Sequence, residues 1–386
     1  MRNICVVTGT RAEYGQLARV MRLIQSSHDT QLQIVATNMH LSPKYGNTYK
    51  EIEADGFTID CRVPIIDERV SNDSRETVME MSRALAGFGN AFDELHPDLI
   101  LILGDRYEML AAAAAALIER IPVAHIAGGE ITEGAFDDAI RHSITKMSNL
   151  HFTATEEYKR RVIQLGEQPE RVFNVGALGV ENIKKLPLMS KKEIEKEIDF
   201  KIDDHTILVT YHPVTLGNRT AKDDIYDFIA ALEEREDLRI IFTMPNSDTG
   251  GQFIANSINN FVNNNTDRAI AFKSLGALRY LSVMRQVSAV VGNSSSGLVE
   301  VPSFGIPTLN IGDRQKGRIA AESVFNCAPD KASVLSGLET VLSKQFKEIA
   351  SAVRNPYEKE NSAEEIFKVL STCLLGKMKQ KHFYDL

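Results

Sequence analysis

A recurrence of short apolar runs constrains this chain more than any other feature. "NICVVT" at 3–8, "LQIVAT" at 32–37, "DLILIL" at 98–103, "IPVAHI" at 121–126 and "LHFTAT" at 150–155 are each followed by a longer helical pattern. The alternation restarts after residue 200 with "TILVTY", "LRIIFTM", "RAIAFKS", "SAVVGNS" and "PTLNI". A strand that is apolar at nearly every position must be covered on both faces, and strands separated by helices pair in parallel. The pattern therefore predicts an α/β protein with two doubly wound domains and a cleft between them. Length agrees, since 386 residues are more than one core of ordinary size takes up. The charge-rich stretch "LGVENIKKLPLMSKKEIEKEIDFKIDD" marks a helix and linker, and the domains expected are 1–180 and 181–364, followed by a helix and aromatic tail at 365–386.

Charge and composition then exclude whole classes of function. A formal net charge of −8 argues against a nucleic-acid footprint, which needs a basic stripe. The four cysteines form no CxxC pair, and the nine histidines show no HxxxH or HExxH spacing, so neither a disulfide framework nor a metal site is expected. The apolar stretch "MLAAAAAALI" is broken by Glu119 and Arg120, well short of a membrane span, and "MRNICVVTGT" enters a strand without the apolar stretch of a signal peptide. A cytoplasmic protein without membrane or nucleic-acid partners is the expectation. "VVTGTRAEYGQL" at 6–17 resembles a phosphate loop but lacks both GxGxxG and GxxxxGK[ST], which disfavours a dinucleotide site or a P-loop ATPase.

Ligands of doubly wound sheets bind beyond the carboxyl ends of the strands, and the charged motifs all fall there. "GNSSSGLVEVP", 292–302, offers backbone N–H groups and the hydroxyls of Ser294, Ser295 and Ser296 where a strand gives way to a helix. That layout suits a phosphate, although a serine N-cap with two incidental neighbours would read the same way. Glu300 beyond it is either a surface acid or a partner for hydroxyls such as those of a ribose. "NIGDRQKGR", 310–318, brings Arg314, Lys316 and Arg318, as phosphate-gripping cations or as a solvated basic turn. Arg11 follows the first strand, Asp105 and Arg106 the strand "LILGDRYE", and His212 the strand "LVTYHP", while Asn246 and Asp248 repeat the layout in "FTMPNSDTG". "HIAGGEITEGAFDDAIRHSITK", 125–146, carries Glu130, Asp137, Asp138, Arg141 and His142. Its acids and bases at i, i+4 spacing serve either as helix salt bridges or as proton-transfer groups.

Taken in order, "TGTRAEYG", "LGDRYE", "HIAGGE", "DDAIRHSITK", "GNSSSGLVEVPS" and "NIGDRQKGR" resemble the hydrolysing UDP-N-acetylglucosamine 2-epimerases of bacterial sialic-acid pathways, over nearly the whole chain down to "FYD" at 383–385. The resemblance implies two Rossmann-like domains of GT-B type, with the last helix crossing back to the first domain, and a homo-oligomer, dimer or tetramer. It implies conversion of UDP-N-acetylglucosamine to UDP and N-acetylmannosamine through a 2-acetamidoglucal, with no cofactor. By matching motif, Asp105, Asp137 and Glu130 would handle protons and His212 would stabilise the leaving diphosphate. Arg11, Arg106, Asn246, Ser294, Ser295 and Arg314 would bind UDP, with Glu300 on the ribose. Ala127 stands where non-hydrolysing relatives carry a glutamate, and Gln16 where they carry a lysine; an alanine takes no proton, so Glu130 is assigned as the C2 base by inference. The same chemistry on UDP-N,N'-diacetylbacillosamine, for legionaminic acid, is the nearest alternative, with "TEGAFDD" at 132–138 as the loop to accommodate a 4-acetamido group. A non-hydrolysing epimerase and a GT-B glycosyltransferase are more distant ones.

Overall fold

The computed structural model describes residues 1–70, 73–133, 135–214, 219–245, 250–378 and 380–386. The chain forms two compact units: Met1–Glu130, Asp137–Asn182 and Tyr357–Leu386 make the first, and Ile131–Phe136 with Ile183–Pro356 the second. The chain thus returns to the first unit at Tyr357, ahead of the 365 expected, and a short segment between Glu130 and Asp137 belongs to the second.

The first unit holds a seven-stranded sheet: β1 Arg2–Thr8, β2 Thr30–Thr37, β3 Cys61–Val63, β4 Leu99–Leu103, β5 Val123–Ile126, β6 Leu150–Thr153 and β7 Val172–Asn174, in the order β3-β2-β1-β4-β5-β6-β7. All neighbours are parallel, and β1 lies inside the sheet, with Val6 paired to Ile34 on one side and Leu101 on the other. Side chains alternate across a strand, and β1 shows why its run had to be continuously apolar. Ile4 and Val6 enter a core with Leu17, Val20 and Met21 of the Arg11–Ser26 helix. Cys5 and Val7 enter the opposite core with Phe88, Phe92 and the alanines of the Tyr107–Ile118 helix. Ile366 and Leu370 of the Ser362–Thr372 helix join the first of these cores, so the last helix is part of this unit.

The second unit repeats the grammar with six parallel strands, β8 Thr206–Thr210, β9 Arg239–Thr243, β10 Ala269–Phe272, β11 Ala289–Gly292, β12 Thr308–Ile311 and β13 Val324–Cys327, ordered β10-β9-β8-β11-β12-β13. Ile207, Val209, Phe242 and Val291 face one helical layer, and Leu208, Ile241 and Val290 the other. In both sheets the strand order reverses beside the first strand, between β1 and β4 and between β8 and β11, which is where doubly wound folds open a crevice. Within the second unit the Ile131–Phe136 segment lies against the loop after β12: Glu133 N–H donates to the Lys316 carbonyl at 3.1 Å, and Lys316 Nζ lies 3.2 Å from the Glu133 carboxylate. No helix among the described residues is long and apolar enough to cross a membrane.

Candidate active site

Each cluster of candidate residues is built by strand ends at a switch point and the strand beside it. In the first unit β1 ends at Thr8, and Thr10 caps the following helix in a capping box: its hydroxyl accepts from Glu13 N–H, and the Glu13 carboxylate accepts from the N–H groups of Gly9 (2.8 Å) and Thr10 (3.2 Å). Arg11, the first helical residue, is half-buried at this turn. A Cβ at Gly9 would come within 2.6 Å of the buried Glu108 Oε1, so a larger residue there would push that carboxylate aside. Burial, with the Glu108 charge next in weight, pushes the Glu13 carboxyl well above the usual range, against the pull of Arg106 and the two N–H groups.

At the end of β4, Gly104 takes a left-handed turn (φ +86°) and delivers Asp105 and Arg106. Arg106 Nε binds Glu108 Oε1 at 2.9 Å, so one edge of this guanidinium braces the strand end rather than projecting away from it. His125 on β5 holds the turn from beneath, with Nε2 donating to the Gly104 carbonyl at 2.8 Å. Burial lowers the pKa of His125 to about 3, so the ring is neutral. After β5 the backbone is left-handed at Ala127 (φ 68°) and at Gly129 (φ +80°), where a Cβ would lie 2.4 Å from the Tyr158 carbonyl oxygen. Glu130, which follows this compact turn, is buried.

Arg141, on the Asp137–Met147 helix, joins these pieces. It is fully buried, donates to the Asp105 carboxylate, to the Glu130 carbonyl at 2.9 Å and to Asp138 Oδ1 at 3.2 Å. Arg141 therefore ties the Asp105 carboxylate to the main chain at Glu130, with Asp137 opening the helix that carries it. His142 Nε2 lies 3.5 Å from Asp138, and burial lowers its pKa below the ordinary imidazole value in spite of that carboxylate. The spacing of the motif showed acids and bases; it did not show that Arg141 reaches across to β4, which depends on β4 and β5 being neighbours.

In the second unit Asn293 plays the corresponding part. It is fully buried, its Oδ1 accepts from His212 N–H and its Nδ2 donates to the His212 carbonyl, both at 2.7 Å. Its own carbonyl accepts from Arg314 Nη1 at 3.2 Å and from Gln315 Nε2 at 2.9 Å. One asparagine thus ties together the ends of β8, β11 and β12, which carry His212, Ser294 with Ser295, and Arg314. Gly292 (φ +135°) lets β11 pass so close to β8 that a Cβ would meet the Thr210 carbonyl oxygen at 2.0 Å.

The helix after the serines differs from the expectation. It spans only Ser296–Val299, and Ser295 at its start makes no side-chain cap. Four residues sum too few peptide dipoles for a sizeable field, so donors to a phosphate would be hydroxyls, N–H groups and Arg314. Ser294 and Ser295 are half-buried, as is Glu300 beyond them, and Ser296 Oγ pairs with Tyr280 Oη at 2.6 Å. Asn246 and Asp248 lie outside the described residues. Among the described residues no cluster of His, Cys, Asp and Glu could hold a metal ion.

The two parallel sheets, switch points and strand-end clusters define a two-domain α/β protein of GT-B-like fold. The same fold is seen in the crystal structure of UDP-GlcNAc 2-epimerase from Neisseria meningitidis bound to UDP-GlcNAc, with a TM-score of 0.80, 18% identity and coverage of 96% of this chain and 99% of that one. Sequence comparison goes further. The family described as UDP-N-acetylglucosamine 2-epimerase matches residues 22–371, and the chain belongs to that family, in its hydrolysing branch. Among its relatives, the GDP/UDP-N,N'-diacetylbacillosamine 2-epimerase (hydrolyzing) of Campylobacter jejuni is 42% identical, covering 100% of this chain and 99% of its own length. The polysialic acid biosynthesis protein P7 of Escherichia coli is 38% identical, covering 100% and 98%.

Proposed function

We propose that this chain is a hydrolysing 2-epimerase that takes UDP-N,N'-diacetylbacillosamine and water to UDP and the free 2-epimeric sugar. The substrate reading is supported by the 42% identity, end to end, with a relative named for that sugar, and it moves ahead of the UDP-N-acetylglucosamine first expected. The epimerase chemistry is supported by the family match over residues 22–371, and within the site by one observation, the buried Arg141 that pairs with the Asp105 carboxylate while holding the Glu130 carbonyl.

Elimination breaks C1–O and C2–H together: a base takes the C2 proton, electrons form the C1=C2 bond, and UDP leaves. Water then adds its oxygen to C1 while C2 is protonated on the opposite face. Two proton positions on opposite faces require more than one acid or base. Glu130 is proposed as the C2 base, because Ala127 has no proton-accepting group, and Asp105 and Asp137 as the groups that return and relay protons. His212, fixed through its backbone by Asn293, would stabilise the leaving diphosphate. Ser294, Ser295, Arg314 and Arg11 would hold UDP and Glu300 the ribose; Arg106 joins them with one edge already engaged by Glu108. Cytoplasmic location and a homo-oligomeric state belong to the same reading.

Initial rates of UDP release from UDP-N,N'-diacetylbacillosamine and from UDP-N-acetylglucosamine, measured side by side, test the substrate. A higher kcat/KM for the first is expected. A higher value for the second would return the enzyme to N-acetylmannosamine production.

A further inference from the structure

The last residues of the sequence make a second set of buried ionic contacts that the chemistry above does not use. Glu167, in the turn after the Glu156–Gln164 helix, is almost wholly buried yet takes three partners: Lys146 Nζ at 2.6 Å, His151 Nε2 at 2.9 Å and Lys381 Nζ at 2.7 Å. Lys381 also donates to the carbonyls of Thr145 (3.1 Å), Lys146 (2.8 Å) and Ser148 (2.6 Å). Those are carbonyls at and just beyond the end of the Asp137–Met147 helix, groups that a helix leaves without intrahelical partners. The cation sits at the negative end of the helix dipole as well.

Phe383 and Tyr384 complete a strap. The Phe383 ring lies against Gly166, where a Cβ would come within 2.3 Å of it, and Lys146 Nζ stands 5.0 Å from the ring centroid. Tyr384 N–H donates to the Gly166 carbonyl at 2.9 Å. Burial pushes Glu167 up, but His151 and the two lysines outweigh it and hold its pKa at about 2. His151, lowered by its own burial, donates through Nε2 and leaves Nδ1 without a partner, which suits a neutral ring.

We propose that residues 380–386 are a positioning clamp for catalysis: Lys381, anchored on Glu167, caps the end of the Asp137–Met147 helix and so fixes the helix whose other end presents Asp137, Asp138 and Arg141. Lys381 is a positioning residue; it acts through Arg141 and the acids, and this inference rests on the function proposed above. The helix has 11 residues, about 16 Å at 1.5 Å per residue. Loss of the cap at one end would therefore reach the acids through a short rigid rod.

The test uses the full chain with Lys381→Ala, Lys381→Arg and Phe383→Ala. Read-outs are amide hydrogen exchange in peptides covering 137–147, kcat and KM on UDP-N,N'-diacetylbacillosamine, and the UDP dissociation constant. In Lys381→Ala, exchange in 137–147 is expected to quicken by about tenfold or more. For a helix displaced by a fraction of an ångström, kcat should fall by about tenfold, while KM and UDP affinity stay within about twofold. Lys381→Arg should restore most of kcat. Wild-type exchange in 137–147, or fast exchange with wild-type kcat, overturns the clamp. If Lys381→Ala does not fold, Phe383→Ala decides by the same read-outs, since the residue is 64% exposed and its loss spares the core; a shift in the same direction supports the clamp and none overturns it. If the wild-type enzyme turns over neither nucleotide sugar, the proposed function fails, and exchange in 137–147 still decides the clamp.

Discussion

A buried guanidinium is stable only where carboxylates and carbonyls surround it, and Arg141 meets that condition with Asp105, Asp138 and the Glu130 carbonyl. Replacing Arg141 with Ala should lower unfolding free energy by about 3 to 5 kcal/mol, as for other broken buried pairs, read from urea denaturation. A loss within about 0.5 kcal/mol, the range of an ordinary surface change, would show that the acids do not depend on it. If Asp105 transfers a proton, Asp105→Asn should lose about 10² to 10⁴ in kcat with UDP binding intact by calorimetry; full turnover in a folded variant would remove it from the mechanism. Arg314→Ala should weaken UDP by about 1.5 to 3 kcal/mol, the worth of a charged hydrogen bond, and an unchanged dissociation constant would reject that role. Asp105, Glu130 and Arg314 could be named as candidates because each follows a readable strand. The parts of His125 and Asn293, and the reach of Arg141 to Asp105, could not be read, because what each holds follows another strand and the pairing order is not written locally.

Strands that bury both faces announce themselves by continuous apolar runs, which is why β1, β4 and β8 could be read directly. The three missed strands, β3, β7 and β13, are edge strands of three or four residues, with exposed or half-buried positions such as Arg62 and Asn326 that break the pattern. The close approach of the paired ends of β8 and β11 is equally local: Gly292→Ala should cost at least about 2 kcal/mol, through strained backbone and a clash with Thr210, measured as a fall in urea midpoint. Buried neutral histidines make these elements acid-sensitive. The folded-state pKa of His125 is depressed to about 3, so the unfolded chain binds a proton below about pH 6.5 that the folded chain refuses. Stability is complete above about pH 6.5 and lost as pH falls towards 3, at about 1.4 kcal/mol per unit for this group. A His125→Asn variant should show a shallower decline in urea midpoint between pH 6 and 4; an equal slope would mean that His125 is protonated in the folded protein.

At the scale of the whole molecule, two sheets of like topology are assembled from a chain that leaves the first unit, builds the second and returns. The doubling was legible from the restart of the apolar runs. The excursion of Ile131–Phe136 was not, because its contacts are with a loop some 180 residues further on. The family was legible from the order of motifs, whereas the sugar was not, because no motif reports the groups at C4 and C6. The central claim is that water and epimerisation are coupled at C1 and C2, and a proton NMR time course in deuterated water with UDP-N,N'-diacetylbacillosamine tests it most directly. The account predicts free 2-epimeric sugar carrying deuterium at C2, with an equal amount of UDP. Nucleotide sugar that stays intact, or an epimer still joined to UDP, would contradict it.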